Sequence, residues 1–205
     1  MVDNVYGKYI PVLEKVMNNL LENIQKYNEK EKNKTGEMAY EHLIYRIKTH
    51  GSMAEKCHRK GLPQTPCAAL HDIRDAIGIR IICRFIEDIY VNIAYIKAIP
   101  NCRIIQEKDY IKHVKANGYR SYHIIVELTM PYEDASEICP GHFFAEIQLR
   151  TIAMDSWASL EHQMKYKRNI ENSEMIVREL KRCADELAAC DISMQTIRNL
   201  IRTEQ

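Results

Sequence analysis

Glycine is scarce in this chain, with only 7 among 205 residues, and no glycine-rich loop of the Walker type occurs. A phosphate site built from backbone N–H groups is therefore excluded, so a phosphate-bearing ligand would have to be held by side chains. Long apolar runs are also missing: no segment approaches the length of a membrane span, and the amino terminus carries no signal-peptide core. We therefore expect a soluble cytoplasmic protein with no membrane partner.

Paired cysteines and an excess of charge are lacking as well. The 7 cysteines are an odd number and none forms a C-x-x-C pair. This argues against a disulfide scaffold or a zinc ribbon and favours a reducing compartment. The formal net charge is only +1, which argues against a histone-like protein that coats polyanions. Any binding of phosphate groups must come from local clusters of cations.

The spacing of apolar residues divides the chain into regions. Over 6–27 they recur every three or four positions, which predicts an amphipathic helix that ends at a polar break over 29–36, followed by a second helix over 38–47. The middle of the chain combines a helix over 86–99 with four strand-like runs. These runs are 77–85, 103–106, 122–130 and 142–149. Interleaved helices and strands predict an α/β or α+β sheet domain.

After position 150 the pattern becomes helical again. Apolar residues alternate four and three positions apart, as in the seam of a coiled coil. They are Ile176, Leu180, Cys183, Leu187, Cys190, Met194, Ile197 and Ile201. A subunit interface and a helix docked on its own domain both satisfy this pattern, and both interpretations stay open.

Cations are concentrated in the segment 46–60. They are Arg46, Lys48, Lys56, Arg59 and Lys60, and only Glu55 opposes them. A helix that begins near Ser52 would place Lys56 and Arg59 about one turn apart on one face. Such a cluster can neutralise a triphosphate. The alternative is an ordinary solvated surface, and we keep that interpretation for Lys60.

The segment 118–123 reads Gly-Tyr-Arg-Ser-Tyr-His and combines a flexible glycine, an aromatic ring and cations. Stacking of a nucleobase on a ring such as that of Tyr119 contributes roughly 1–3 kcal/mol. Nearby cations can hold phosphate oxygens through charge-assisted hydrogen bonds. These cations are Lys108, Lys112, Lys115, Arg120 and His123. The pattern indicates a nucleotide pocket, and a solvated hairpin loop is the alternative.

Two carboxylates complete the chemistry of phosphoryl transfer. Asp75 stands just before the run 77–85, and Glu146 lies within the run 142–149 between apolar neighbours. Because successive strand residues point to opposite faces, Glu146 projects away from its neighbours and could meet Asp75 from an adjacent strand. Such a pair can hold Mg²⁺ and deprotonate a hydroxyl. Alternatively, Asp75 caps a turn and Glu146 pairs with Arg80 or Arg150.

Several motifs occur together in one order along the chain. They are Arg46-Ile-Lys48, the basic run through Lys56 and Arg59, Asp75-x-x-Gly78-x-Arg80, the segment from Lys108 to His123, Glu146-Ile-Gln148-Leu-Arg150-Thr151, and Ala153-Met-Asp155-x-Trp157. Taken together they resemble the synthetase domain of the RelA/SpoT family, in the short form called small alarmone synthetases. The resemblance covers roughly 40–167 directly, and the flanking helices match in kind.

The resemblance implies an α+β fold: a nucleotidyltransferase-like mixed β-sheet flanked by helices, with N- and C-terminal helical extensions. We expect a helical extension at 1–36, the synthetase domain at 37–168, and a helix for packing or oligomerisation at 169–205. The implied reaction moves the β,γ-pyrophosphate of ATP to the ribose 3′-hydroxyl of GDP or GTP, releases AMP and makes (p)ppGpp in stringent-response signalling. The implied cofactor is Mg²⁺ and the implied assembly is a homotetramer.

Residue roles follow from the same resemblance. Arg46 and Arg80 would sandwich adenine, and the ATP phosphates would be held by Lys48, Lys56 and Arg59. Asp75 and Glu146 would serve the metal site, with Glu146 also accepting the proton of the 3′-hydroxyl. The acceptor nucleotide would be bound by Lys108, Lys115, Tyr119, His123, Gln148 and Asp155, with Tyr119 stacked on guanine.

Two other functions remain open. Toxin-type relatives transfer pyrophosphate to adenosine nucleotides or to the 3′ end of tRNA, and a basic loop suits a tRNA phosphate as well as GTP. The near-neutral charge favours the nucleotide over tRNA. A non-catalytic module that binds guanine nucleotides or RNA is the second possibility. The presence of both Asp75 and Glu146 argues against it, because binding alone does not require carboxylates beside polyanions.

Overall fold

The structure, a computed structural model, describes residues 4–166 and 173–204. Its helices are Ile10–Thr35 (α1), His50–Arg59 (α2), Ile86–Lys97 (α3), Ile152–Tyr166 (α4) and Ser173–Thr203 (α5). Its strands are His42–Ile47 (β1), Ile77–Cys83 (β2), Cys102–Asp109 (β3), Tyr122–Met130 (β4) and Gly141–Thr151 (β5). Within these ranges no helix is both long and apolar enough to cross a bilayer.

The five strands form one mixed sheet in the order β1-β2-β5-β4-β3. The β2–β5 pair is parallel, and the pairs β1–β2, β4–β5 and β3–β4 are antiparallel. β5 lies at the centre of the sheet and is the longest strand, with 11 residues. The mixed sheet with flanking helices confirms the α+β fold expected from the sequence.

One face of the sheet carries the main hydrophobic core. Ile77, Ile79 and Ile81 alternate along β2, and each is no more than 2% exposed. Matching apolar side chains from β4 and β5 continue this layer, and α1 and α3 pack onto it. Alternation of side chains along a strand therefore leaves the intervening residues on the opposite face. That opposite face carries the polar residues of the candidate site.

Two predictions for the amino-terminal part are wrong. The polar segment 29–36 does not interrupt α1, which continues through it as a solvated helix as far as Thr35. Gly36, in the left-handed conformation, then ends the helix. The segment 38–47 does not form a second helix. Instead it contributes the edge strand β1, in which only Leu43 and Ile47 are half-buried. Pairing with β2 determines its conformation, since so exposed a strand lacks clear apolar alternation.

The carboxy-terminal seam is divided between two environments. Leu180 and Leu187 pack against Trp157, Ala158 and Ala184 in a second small cluster. Farther along α5, Met194, Ile197 and Ile201 are 51–54% exposed. Docking on the same chain therefore accounts for Leu180 and Leu187, whereas Cys183, Cys190 and the seam residues farther along α5 are exposed. The division into units at 1–36, 37–168 and 169–205 stays a prediction, and its second boundary lies outside the described residues.

Candidate active site

Strand register aligns two rows of side chains across the open face of the sheet. In the first row, directly paired positions run Ile44, Arg80, Gln148, His123 and Lys108. In the second row they run Arg46, Gly78, Glu146, Ile125 and Gln106. Residues directly opposite one another on paired strands share a face. The sheet thus brings together predicted donor and acceptor residues that are far apart in sequence.

Asp75 lies between two of the predicted phosphate-binding lysines. Its Oδ2 accepts hydrogen bonds from Lys48 Nζ, at 2.6 Å, and from Lys56 Nζ. Burial on its own would raise the pKa of the Asp75 carboxyl, but the two ammonium groups outweigh it and hold the pKa below the usual range. Oδ1 of Asp75 is buried and has no hydrogen-bond partner among the described residues. The carboxylate therefore keeps one oxygen available to a ligand.

Glu146 is held in its ionised form by neighbours on the same face. His123 Nδ1 lies 3.4 Å from Glu146 Oε1, and Gln148 Nε2 donates to Oε2 at 3.1 Å. Burial and the charge of Asp75 act to raise the pKa of Glu146, yet the contact with His123 prevails and the pKa is lowered. Glu146 is therefore a carboxylate at neutral pH and can accept a proton from a hydroxyl group.

Two cavities meet at these carboxylates. The first, of about 190 Å³, extends along β1 and β2 and is lined by Arg46, Lys48, Arg80 and Gln148. The second, of about 460 Å³, is lined by cations from four segments, namely Lys56, Lys60, Arg74 and Lys108. Asp75 and Glu146 line both cavities. A ligand in one cavity and a ligand in the other would therefore both reach the same pair of carboxylates.

The loop that carries Tyr119 folds over one end of the open face. The Tyr119 hydroxyl accepts a hydrogen bond from Arg150 Nη2 at 2.7 Å and lies 2.8 Å from His123 Nε2. Lys115 Nζ lies 4.7 Å from the centre of the Tyr119 ring. This cation and ring are the groups that can hold a phosphate and a base, as the sequence predicted for this loop.

Helix α5 supports this loop from outside. A Cβ on Gly118, where φ is +90°, would lie 2.6 Å from the Cβ of Ala184, so only glycine fits. Arg120 donates to the Ala184 carbonyl at 3.1 Å and to Asp185 Oδ1 at 3.0 Å. Trp157 Nε1 on α4 donates to a carbonyl of α5 at 2.7 Å. The docked half of α5 therefore fixes the conformation of the loop.

The structure places most, but not all, predicted residues at the cavities. Arg59 is exposed on α2 and lines neither of the two cavities described above, whereas Lys60, which we had assigned to solvated surface, lines the second one. Lys115 lies above the rings of Tyr110 and Tyr119. Asp155 Oδ1 forms an ion pair with Arg80 Nη1 at 3.1 Å and accepts a hydrogen bond from Arg150 Nη1 at 2.9 Å.

Sequence reasoning also gave no role to Arg150 and Gly78 and did not consider Arg74, which lines the second cavity. Arg150 was quoted in a motif and considered as an alternative partner of Glu146, but it received no role of its own, although it lies on the open face two positions after Gln148. Its spacing in the series Glu146, Gln148, Arg150 along one strand could have revealed this. Gly78 was quoted only as part of a motif, yet it stands between Arg46 and Glu146 in the second row.

The two carboxylates suit a divalent cation whose other coordination positions are filled by a bound nucleotide and by water. In the described part of the chain, no group of three or more histidine, cysteine, aspartate or glutamate residues could hold a metal ion. Mg²⁺ does not require such a group, because it commonly binds one or two carboxylates together with phosphate oxygens and water. The unpartnered Oδ1 of Asp75 beside Glu146 suits that mode of binding.

The fold and the site define a class of nucleotide-handling enzyme, and comparison with known proteins identifies the family. A family model described as a region found in RelA / SpoT proteins matches residues 45–171. The chain therefore belongs to the RelA/SpoT family. It is 42% identical over 150 residues to the GTP pyrophosphokinase YwaC of Bacillus subtilis (strain 168), a match that covers 73% of this chain and 70% of YwaC.

Solved structures give the same result. The chain is similar to small alarmone synthetase 1 from Bacillus subtilis bound to its product pppGpp, with a TM-score of 0.79, 28% identity, and coverage of 94% of this chain and 95% of that one. The same synthetase bound to AMPCPP matches with a TM-score of 0.73, 27% identity, and coverage of 95% and 96%. These matches confirm the resemblance to small alarmone synthetases.

Proposed function

We propose that this protein synthesises (p)ppGpp by transferring the β,γ-pyrophosphate of ATP to the ribose 3′-hydroxyl of GDP or GTP, with release of AMP. The observation that carries the proposal is the junction of two cavities at Asp75 and Glu146, each cavity lined by cations. Transfer of a phosphoryl or pyrophosphoryl group requires in-line placement and neutralisation of charge rather than covalent catalysis. The names of the relatives, a GTP pyrophosphokinase and an alarmone synthetase, support the same reaction.

The first cavity is the donor site in this proposal. Arg46 and Arg80 flank it from neighbouring strands, and planar guanidinium groups stack well on a purine. Lys48 and Lys56 hold the ATP phosphates and exchange part of their contact with Asp75 for contact with phosphate oxygens. Arg59, exposed in the same last turn of α2 as Lys56, contributes to the same positive charge.

The acceptor nucleotide is placed against the loop and the far strands. Tyr119 stacks on guanine, and Asp155 and Gln148 offer oxygen acceptors to the base and the ribose. The acceptor phosphates contact His123 and two exposed cations, one in the loop and one in β3. Those cations are Lys108 and Lys115.

The chemical step uses the two carboxylates. Glu146 accepts the proton of the 3′-hydroxyl, the 3′-oxygen bonds to the β-phosphorus of ATP, and the bond between that phosphorus and the bridging oxygen to the α-phosphate breaks, so that AMP leaves. Asp75 orients Lys48 and Lys56 towards the transferred phosphates. Mg²⁺, held by Asp75 and Glu146, supplies additional positive charge to the phosphates when it is bound.

We also infer that the protein assembles with further copies of itself, as a homotetramer. The carboxy-terminal half of α5 supports this inference, because it exposes several large apolar side chains along one stretch. They are Ile192, Met194, Ile197, Leu200 and Ile201, each 51–60% exposed.

The test of the proposed reaction uses ATP labelled separately in the α-, β- and γ-phosphates. The protein is incubated with Mg²⁺, ATP and each candidate acceptor: GMP, GDP, GTP, ATP itself and tRNA. Label in the β-phosphate should move to the 3′ position of a guanine nucleotide, and label in the α-phosphate should appear in AMP. Transfer of the γ-label alone, with formation of ADP, would instead indicate an ordinary kinase. Label on tRNA or on an adenine nucleotide would support a toxin-type activity, and no transfer to any acceptor would support a binding module.

A further inference from the structure

Arg150 is the most deeply buried cation of the site. Only 5% of the residue is exposed, although it lies on the same strand face as Gln148. A buried guanidinium is tolerated only when its donors are paired, because removal of a charge from water costs several kcal/mol. The partners of Arg150 therefore indicate what this residue is for.

These partners include acceptor residues from three separate parts of the chain. Arg150 donates to the Tyr119 hydroxyl at 2.7 Å, to Gln148 Oε1 at 3.1 Å and to Asp155 Oδ1 at 2.9 Å. Its Nε also lies 3.4 Å from Ser121 Oγ. Tyr119 belongs to the loop before β4, Gln148 to β5 and Asp155 to α4. One planar group thus sets the relative positions of three side chains that no single element could align.

The Tyr119 hydroxyl extends this network towards Glu146. Since the hydroxyl oxygen accepts from Arg150, its one hydrogen is free to be donated to His123 Nε2, which lies 2.8 Å away. In a neutral imidazole the proton then resides on Nδ1, and Nδ1 lies 3.4 Å from Glu146 Oε1. Because Arg150 donates to the Tyr119 oxygen, the hydrogens of this series all point one way, from Tyr119 to His123 and from His123 to Glu146.

We propose that Arg150 is a positioning residue for the acceptor side of the reaction. It orders Tyr119, Gln148 and Asp155 and, through the Tyr119 hydroxyl, directs the Nδ1–H of His123 at Glu146. This inference rests on the proposed function and adds a residue to it. Asp155 Oδ1 also forms an ion pair with Arg80 Nη1 at 3.1 Å, so the same network connects the acceptor pocket with the base-binding side of the donor cavity.

The test is a double-mutant cycle with Arg150→Gln, Tyr119→Phe and the two combined, measured with ATP and GDP. Loss of a hydrogen bond to a charged group predicts a fall in kcat/KM for GDP of about 10- to 100-fold for Arg150→Gln. Tyr119→Phe keeps the ring but removes the hydroxyl that joins Arg150 to His123, and should lower kcat/KM for GDP by about 3- to 10-fold. The double variant should be within about twofold of Arg150→Gln, because both changes interrupt one network. KM for ATP should change by less than about threefold in each variant.

Controls separate positioning from general stability. Arg150→Lys retains the charge but not the planar fork, so it should recover part of the loss seen in Arg150→Gln. Arg182→Gln removes an exposed arginine that pairs with Glu179 and Glu186 of its own helix, and should leave KM for ATP and for GDP unchanged. If Arg150→Gln does not fold, Tyr119→Phe and Arg150→Lys decide the question.

Other outcomes would overturn the proposal. These are strictly additive losses, equal rises in KM for ATP and GDP, or unchanged kinetics in Tyr119→Phe. They are distinguishable from failure of the proposed function, which would appear as absence of pyrophosphate transfer by the wild-type protein. A wild-type enzyme that transfers pyrophosphate, beside variants that behave like it, would refute only the role of Arg150.

Discussion

Gly78 determines whether the donor cavity can admit a nucleotide. It lies on the open face between Arg46 and Glu146, and it lines the cavity of about 190 Å³. A Cβ placed on Gly78 would lie 3.9 Å from the carbonyl oxygen of Arg46, an ordinary van der Waals contact. Gly78→Ala and Gly78→Val should therefore fold, since the backbone does not require glycine and β-branched residues suit a strand.

Both substitutions should weaken the binding of ATP. A valine side chain would project into the space that we assign to the nucleotide, and crowding of a packed site typically costs about 1–3 kcal/mol, or about 5- to 150-fold in affinity. We predict a rise of that size in KM for ATP in Gly78→Val, a smaller rise in Gly78→Ala, and a change of less than about twofold in KM for GDP. The assay is steady-state formation of AMP with each substrate varied in turn.

Gly51 supplies a matched control. It lies in α2, has no positive φ, and a Cβ there would meet nothing within 4 Å. Gly51→Ala should leave both KM values unchanged and raise helix stability by up to about 1 kcal/mol. A folded Gly78→Val variant with normal KM for ATP would refute the placement of the donor nucleotide.

Three further predictions concern other parts of the molecule. Tyr6 donates from its hydroxyl to the Lys48 carbonyl at 2.8 Å, so Tyr6→Phe should raise KM for ATP by about 3- to 10-fold. Tyr95→Phe loses a similar hydrogen bond to a carbonyl remote from the site, so it should lower the melting temperature but leave KM for ATP unchanged. Equal KM values for ATP in Tyr6→Phe and Tyr95→Phe would contradict the prediction. Ile197→Asp should reduce the mass measured by light scattering while the protomer stays folded, because this side chain is 51% exposed; an unchanged mass would refute the role of α5 in assembly. The lowered pKa of Asp75 contributes stability that is complete above the unfolded value of about 3.9 and is lost as pH falls through the folded pKa. The free energy of unfolding of wild type should therefore exceed that of Asp75→Asn most near neutral pH, and the difference should shrink as pH falls below the unfolded value; a difference that does not shrink would contradict the ion-pair origin.

Much of the fold was predictable because the central strands have strong patterns. The run predicted at 122–130 coincides with β4, and the runs at 77–85 and 142–149 match β2 and β5 closely, since each presents a continuous buried face. β1 was not predictable in the same way. It is an edge strand, and only its pairing with β2 distinguishes it from a helix.

The candidate site was predictable in its residue types but not in its connections. Motif order identified Asp75, Glu146 and Tyr119. Strand register, which a single sequence does not reveal, places Glu146 opposite Gly78 and Ile125 and brings Arg150 beneath Tyr119. The hydroxyl of Tyr119 also has a structural role that stacking alone would not require.

Glu146→Gln tests the central claim most directly. Single-turnover transfer of β-labelled pyrophosphate from ATP to GDP should be at least about 100-fold slower in this variant than in wild type, because the group that accepts the proton is lost. Glu186→Gln, which removes an exposed carboxylate that pairs with Arg182 on α5, should retain the wild-type rate. ATP and GDP should still bind to the folded Glu146→Gln protein. Transfer at nearly the wild-type rate in that variant, with Mg²⁺ present, would contradict the account.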